Sequence, residues 1–258
     1  MPDAVTPGSS PVFSLRGIAK SYGAVRAVRG VDLDVMSGDV LAICGDNGAG
    51  KSTLIKIMSG AQEPDAGTMA LNGHQVRFRS PHDALVQGVA TIYQDLALAP
   101  RLSIAMNVFM GAELTRSFGL PFLRVLDKRR MNSDAKAYLA RLSVPLEDMN
   151  RPVERLSGGQ RQAVAISRSL RWNAGVIIMD EPTAALGVKE TAQVLDLIRH
   201  LRAEGRTVVL VSHNMADVVA VANRVAILKS GSKVIDRTIG GASADDLSHM
   251  IMTGAEAA

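Results

Sequence analysis

Aromatic side chains are scarce in this sequence: five Phe, three Tyr and one Trp make up 3% of its 258 residues. Hydrophobic residues nevertheless reach 47%, so the core must be aliphatic, and the length suffices for one large domain or two small lobes. A single cysteine, Cys44, excludes any disulfide within the chain. It ends an apolar run, where a small buried hydrophobe would serve equally well. No stretch approaches the ~20 consecutive apolar residues that cross a bilayer as a helix. Residues Met1 to Pro11 have neither a basic start nor an apolar centre, so they read as a loose tail and not as a signal peptide. An intracellular protein is expected, with any membrane association supplied by a partner. Lys and Arg number 29 against 25 Asp and Glu, a net charge of +4. Apart from Lys128-Arg129-Arg130 the basic residues are scattered, which leaves no stripe for a nucleic-acid backbone. There is no internal repeat.

Strand-like and helical patterns alternate along the chain, which argues for an α/β fold with a mostly parallel sheet. Val40 to Cys44, Val89 to Tyr93, Val176 to Met179, Thr207 to Val211 and Arg224 to Leu228 are the strand candidates. The last three are near-continuous apolar runs, as expected of strands covered on both faces. Period-two alternation in Val31-Asp32-Leu33-Asp34-Val35, with glycine turns at Ser37-Gly38-Asp39 and Asn72-Gly73-His74, predicts an antiparallel β layer at the N-terminal side. Between Gln94 and Gln160 strand signals vanish, and helical periodicity appears in Ser103 to Met110 and Asn132 to Leu142. Residues 94–160 therefore read as a helical subdomain inserted into an α/β core of 12–93 and 161–258. Ser157 is placed to cap a helix running from about Gly158 to Arg171.

Five motifs carry chemistry: Gly45-Asp46-Asn47-Gly48-Ala49-Gly50-Lys51-Ser52-Thr53, Gln94, Leu156-Ser157-Gly158-Gly159-Gln160, Val176 to Glu181, and His213. The first fits G-x-x-x-x-G-K-[ST], entered from an apolar strand and left by a helical pattern from Leu54 to Met58, the context a phosphate-binding loop requires. Its glycines let backbone N–H groups wrap phosphate oxygens, and the following helix adds its positive end. Lys51 is then placed for the β- and γ-phosphates, and Ser52 for a hydroxyl on Mg²⁺. Asp180 ends an apolar strand, where a carboxylate reaches a metal above the sheet edge, and Glu181 is free to orient or activate water. The chain is expected to bind a nucleoside triphosphate with Mg²⁺.

Leu156-Ser157-Gly158-Gly159-Gln160, a short helix upstream of Asp180-Glu181, resembles the signature of the ABC (ATP-binding cassette) ATPases, and the match runs from Tyr22 to His213. The resemblance implies a single ABC ATPase domain over 1–258, with a P-loop ATPase core. It implies that Tyr22 stacks on adenine, that Gln94 senses the metal and couples to membrane subunits, and that His213 contacts the γ-phosphate. Ser157, Gly158, Gly159 and Gln160 open a second anion site at a helix N-terminus, held away from Lys51 by the inserted lobe. Two copies, head to tail, would each sandwich ATP between one phosphate loop and the other's signature.

The stretches 45–56, Tyr93-Gln94-Asp95-Leu96-Ala97-Leu98 and Ser212-His213-Asn214-Met215 are similar to ATPases of ribose- and fructose-type sugar importers. One cassette in the chain points to the single-cassette, fructose-type branch and to a homodimer. Expected partners are two membrane permease subunits, with an external sugar-binding protein acting indirectly. The expected location is the cytoplasmic face of the inner membrane, and no nucleic acid is expected. The apolar segment Leu96 to Leu102 to Val108-Phe109 is expected to form one wall of the groove that receives a permease helix. One residue departs from the family pattern: Gly187 follows Ala185-Leu186 where an aspartate is usual. A non-transport ABC ATPase clamping nucleic acid or ribosomes stays open as the alternative. Such proteins usually carry two cassettes, a coiled-coil insertion or a basic arm.

Overall fold

The computed structural model describes residues 10–118, 120–184 and 186–255. Most of the tail expected at 1–11 lies outside them. In chain order the elements are β1 (Phe13–Tyr22), β2 (Val25–Val35), β3 (Val40–Gly45), α1 (Lys51–Met58), β4 (Ala66–Leu71), β5 (His74–Val76), α2 (Pro81–Val86), β6 (Val89–Ile92) and α3 (Ile104–Phe109). There follow β7 (Thr115–Phe118), β8 (Leu120–Leu126), α4 (Lys128–Arg141), a 3₁₀ turn at Val153–Arg155, α5 (Gly158–Arg171) and β9 (Val176–Asp180). The chain closes with α6 (Val188–Ala203), β10 (Thr207–Val211), α7 (Met215–Val221), β11 (Arg224–Lys229), β12 (Ser232–Thr238) and α8 (Ala244–Thr253).

The central sheet has the order β12-β11-β3-β10-β9-β6 and is parallel except for the edge strand β12, which pairs antiparallel with β11. Its inner strands are near-continuously apolar between their ends because both faces are covered. Val40, Ala42, Cys44, Ile177, Met179, Val208 and Leu210 face a core shared with α3 to α8. The alternate residues Leu41, Ile43, Val176, Ile178, Val209 and Val211 join α1 and the antiparallel sheet β2-β1-β4-β5. Each such aliphatic side chain contributes about 1.5–3 kcal/mol on burial, so a one-residue slip would break both cores at once.

Burial pushes the Cys44 thiol up to about 12, with nearby Lys51 acting weakly the other way. The thiolate is the reactive form, so iodoacetamide at pH 8 should leave Cys44 untouched in the folded chain and label it in denaturant. Mass spectrometry that finds it labelled in the native protein would place this strand end at the surface.

The stretch between β6 and α5 corrects one expectation. α3 and α4 are there, but β7 and β8 form a separate antiparallel hairpin where no strands were anticipated. A four-residue strand with a register shift between Ser117 and Phe118 leaves no period-two pattern to read. The apolar faces of α3 and α4 do not make a core of their own. Ile104, Val108, Phe109, Met131 and Leu139 belong to the same cluster as Val164 and Ile166 of α5 and the sheet.

Candidate active site

β3 runs into the loop 45–50, which turns back to open α1. Gly45 and Gly50 take φ of 146° and 102°, and a Cβ on them would strike the carbonyl oxygens of Leu228 and Ala27 respectively. No other residue fits there. Asp46, Asn47 and Gly48 are exposed at the loop's crest, whereas Ala49 is buried beneath it. Ala49 is pinned by its N–H on the Asp46 carbonyl (3.1 Å) and by the Gly231 N–H on its own carbonyl (3.0 Å). The Lys51 ammonium donates to the carbonyls of Gly45 (2.6 Å) and Asp46 (2.9 Å), so it lies along the loop it serves. Ser52 is exposed and Thr53 half-buried in the first turn of α1. Tyr22, 47% exposed, pairs with Val25 at the tip of the β1–β2 hairpin whose Ala27 abuts Gly50.

The sheet order gathers the remaining motifs. Ile43, Val211 and Asp180 lie in register at the C-terminal edge of β3, β10 and β9, and Ile92 of β6 pairs with Met179. Across that edge the phosphate loop is followed by His213, then Asp180-Glu181, then Gln94. All four follow adjacent parallel strands, and the crevice beyond such strand ends is where α/β sheets bind ligands.

Glu181 adopts a left-handed backbone, φ 49°, which costs about 1–2 kcal/mol for a residue with a side chain. The turn holds it there through its N–H on the Val211 carbonyl (2.9 Å) and the Ala184 N–H on its own carbonyl (3.1 Å). His213 Nδ1 stands 3.2 Å from Glu181 Oε1, so the ring can donate to the carboxylate. Burial, and next the adjacent Glu181 charge, raise the Asp180 carboxyl, while Lys51 and Lys56 pull it down. A cation at this corner would favour the charged form.

Gln94 is exposed beyond β6 and lines a cavity of about 490 Å³ with Glu181, Leu98, Gly158 and Arg161. The signature therefore opens onto the Glu181 corner from the α5 side. Ser157 Oγ accepts from the Gln160 N–H (3.3 Å), and Gln160 Oε1 accepts from the Ser157 N–H (3.1 Å), a reciprocal cap that fixes the first turn of α5. Gly158 and Gly159 are buried and Ser157 is exposed. Among the described residues no hydrogen bond joins 157–160 to the phosphate loop.

The sequence singled out neither Asp217 nor Gln162, yet both tie down the segment after Glu181. Thr183 Oγ1 donates to the buried Asp217 of α7 (2.7 Å), and Gln162 Nε2 donates to the Pro182 carbonyl (3.3 Å). In the sequence Asp217 is an ordinary first-turn acid of α7, and only the structure shows it buried against Thr183.

The ABC transporter family model matches residues 28–184. The fructose import ATP-binding protein of Rhizobium meliloti is 47% identical over 227 residues, 87% of each chain. The xylose/arabinose import ATP-binding protein of Sulfolobus acidocaldarius is 44% identical over 88% of each. A ribose import ATP-binding protein of Streptomyces coelicolor is 42% identical over 93% of this chain, which spans 46% of that longer protein. Among solved structures, an ABC transporter ATP-binding cassette in its ADP conformation superposes with a TM-score of 0.80 at 22% identity, covering 95% of this chain and 96% of that one. A dimeric bacterial ABC transporter cassette gives 0.71 at 26% identity, covering 88% and 98%. With its phosphate loop, Asp180-Glu181 strand end and signature on one such scaffold, the chain belongs to the ABC transporter family, as an ATP-binding cassette that hydrolyses ATP.

Proposed function

We propose that this chain energises uptake of a monosaccharide through separate membrane subunits, working as a head-to-tail pair of identical copies at the cytoplasmic face of the membrane. The observation that carries the reading is that relatives matching nearly nine-tenths of both chains are named for sugar import. No helix among the described residues is long and apolar enough to cross a membrane, which fits a cassette that docks on permeases.

In this reading Tyr22 stacks on adenine, and the N–H groups of 45–50 with Asp46, Asn47, Ala49 and Thr53 cradle the phosphates. Lys51 leaves its carbonyl partners for the β/γ-phosphate oxygens. The donor set suits Mg²⁺: a hydroxyl on Ser52, a carboxylate on Asp180 and the amide oxygen of Gln94 are hard oxygen ligands. Few protein ligands are needed where phosphates supply the rest. No cluster of three acidic, His or Cys side chains is found among the described residues, consistent with that sparing arrangement. When bound, the ion would neutralise charge on the β- and γ-phosphate oxygens. Glu181 accepts the proton of the attacking water, and His213, bonded to it, contacts the γ-phosphate. Ser157 and the Gly159 N–H reach a phosphate held by the second copy. Residues 94–160 act as the helical subdomain that carries the signature and the docking face.

The docking face is narrower than the sequence suggested. Val108 and Phe109 are 0% and 2% exposed, because they fill the core beneath α3, so they cannot meet a partner. Leu102, 40% exposed, does line a surface groove of about 380 Å³ with Met106 and Leu126. Leu98 shares a cavity with Gln94 and Glu181, so a charge there would disturb the reacting corner. Leu102→Asp is therefore the clean test. It should fold, keep basal ATPase within about twofold, and lose sugar uptake and co-purification with the permeases, because docking would bury an unpaired carboxylate. Full uptake of labelled monosaccharides by cells carrying this variant would put the groove elsewhere. If deleting the whole chain altered uptake of no monosaccharide in a broad panel, sugar import itself would be wrong.

A further inference from the structure

The aspartate usual at position 187 is missing, and the structure shows where another carboxylate acts. Gly187 precedes α6 with an extended backbone, φ −73° and ψ 166°, and has no side chain to cap the helix. Glu190, one turn on, reaches back with Oε2 to the Gly187 N–H at 3.3 Å. Its Oε1 accepts from the N–H of Gly158 at 2.8 Å, at the start of the signature helix α5. One carboxylate thus spans two segments well separated in sequence, both next to the reacting corner.

The surrounding packing is built for that span. A Cβ on Gly158 would lie 2.5 Å from Leu186 Cδ2 and 3.2 Å from Glu190 Oε1. A Cβ on Gly159 would lie 2.6 Å from Gln193 Oε1, one turn further along α6. The side chains of Leu186, Glu190 and Gln193 thus lie directly against the two signature glycines. Without Glu190 the N–H of the buried Gly158 would lose a charge-assisted hydrogen bond at the start of α5. Of the first-turn amides of α5, Gly158 is taken by Glu190 and Gln160 by Ser157 Oγ, and in the proposed pair the Gly159 amide is the one left for a phosphate.

We propose that Glu190 is a positioning residue for ATP hydrolysis: by bridging the Gly158 and Gly187 amides it holds the signature turn and the segment after Glu181 as one body, replacing from within the chain the carboxylate absent at 187. The proposal rests on the sandwich reading, in which the signature acts on ATP held by a second copy. A glutamine at 190 offers one acceptor oxygen. Its NH₂ must then face an N–H, either at 158 or at 187, and the bridge breaks. An aspartate at 187 would repair it, because the glutamine oxygen could accept from Gly158 while the glutamine NH₂ donates to the new carboxylate. Position 187 has a negative φ, and a Cβ there would meet nothing nearer than Glu190 Oε2 at 3.9 Å, so an aspartate fits. With Glu190 in place, the same aspartate would set two carboxylates side by side.

The experiment compares wild type, Glu190→Gln, Gly187→Asp and the double variant for steady-state ATPase, single-chain affinity for a fluorescent ATP analogue, and melting temperature. Expected is a drop in kcat of roughly tenfold or more for each single variant, the loss of one charged hydrogen bond or the gain of one repulsion, and recovery to within about threefold of wild type in the double. Single-chain nucleotide affinity should stay within about twofold, because the phosphate loop is untouched. A purely structural role for Glu190 would lower melting temperature and kcat together and give additive losses in the double, and that result overturns the proposal. So does wild-type kcat in Glu190→Gln. If Glu190→Gln alone fails to fold, the double variant against Gly187→Asp carries the same comparison, and a double no better than Gly187→Asp is equally fatal. A wild type that hydrolyses ATP with a rate strictly proportional to chain concentration, with no dimer at saturating Mg-ATP, would sink the sandwich reading. That outcome is distinct from unchanged kcat on substitution at 190.

Discussion

Glu181→Gln is expected to slow ATP turnover by roughly a thousandfold while leaving Mg-ATP bound, within the range a positioned general base supplies. The amide keeps the shape of the side chain and can still bond His213, now 3.2 Å from the carboxylate, but it cannot take a proton from water. The left-handed backbone at 181 is set by the Val211 carbonyl and the turn to Ala184, both main-chain contacts, so the substitution should not move the loop. Trapped nucleotide should then hold two copies together. Light scattering of the variant at saturating Mg-ATP tests this directly: monomers alone would remove the sandwich, and unimpaired turnover would remove Glu181 from the reaction.

Lys51→Ala should weaken binding of Mg-ATP by roughly a hundredfold or more, since it deletes the cation proposed to make two or more charged hydrogen bonds to the triphosphate. The loop itself should persist, because Gly45 pairs with Leu228 in the sheet and main-chain hydrogen bonds tie Ala49 to Asp46 and Gly231 and Gly50 to Leu54, none involving the ammonium. Equilibrium titration that returned wild-type affinity would show that the loop does not hold the phosphates. The same variant probes the pairing of copies. In the proposed pair Ser157→Arg would place a bulky cation where the signature meets the partner's phosphate, so alone it should block hydrolysis and spare single-chain binding. In a mixed dimer with Lys51→Ala, one site carries both defects and the other neither. Partial activity at intermediate mixing ratios is the expected outcome, and none at any ratio would mean that each site is completed within its own chain.

How much of this was legible beforehand depends on the range of the forces involved. Gly45 and Gly50, the cap at Ser157 and the apolar strands 176–180 and 207–211 obey rules that act within a few residues: left-handed φ, orphan amides at a helix start, burial on two faces. Five motifs in order along the chain sufficed to imply the reaction and the nucleotide. Their spatial order, with phosphate loop, His213, Asp180-Glu181 and Gln94 across one sheet edge, came from pairing between strands far apart in the chain. The β7–β8 hairpin escaped notice because its pairing satisfies only itself and leaves no periodic trace. The family resemblance set Val108 and Phe109 in a docking wall, and only the packing of α3 on α5 and the sheet put them inside. Glu190 drew no notice in the sequence and stands in α6 as a first-turn acid. Its second bond, to an amide 32 residues upstream, exists because the tertiary structure sets the start of α6 beside the start of α5, and no property of residues 187–190 alone encodes it.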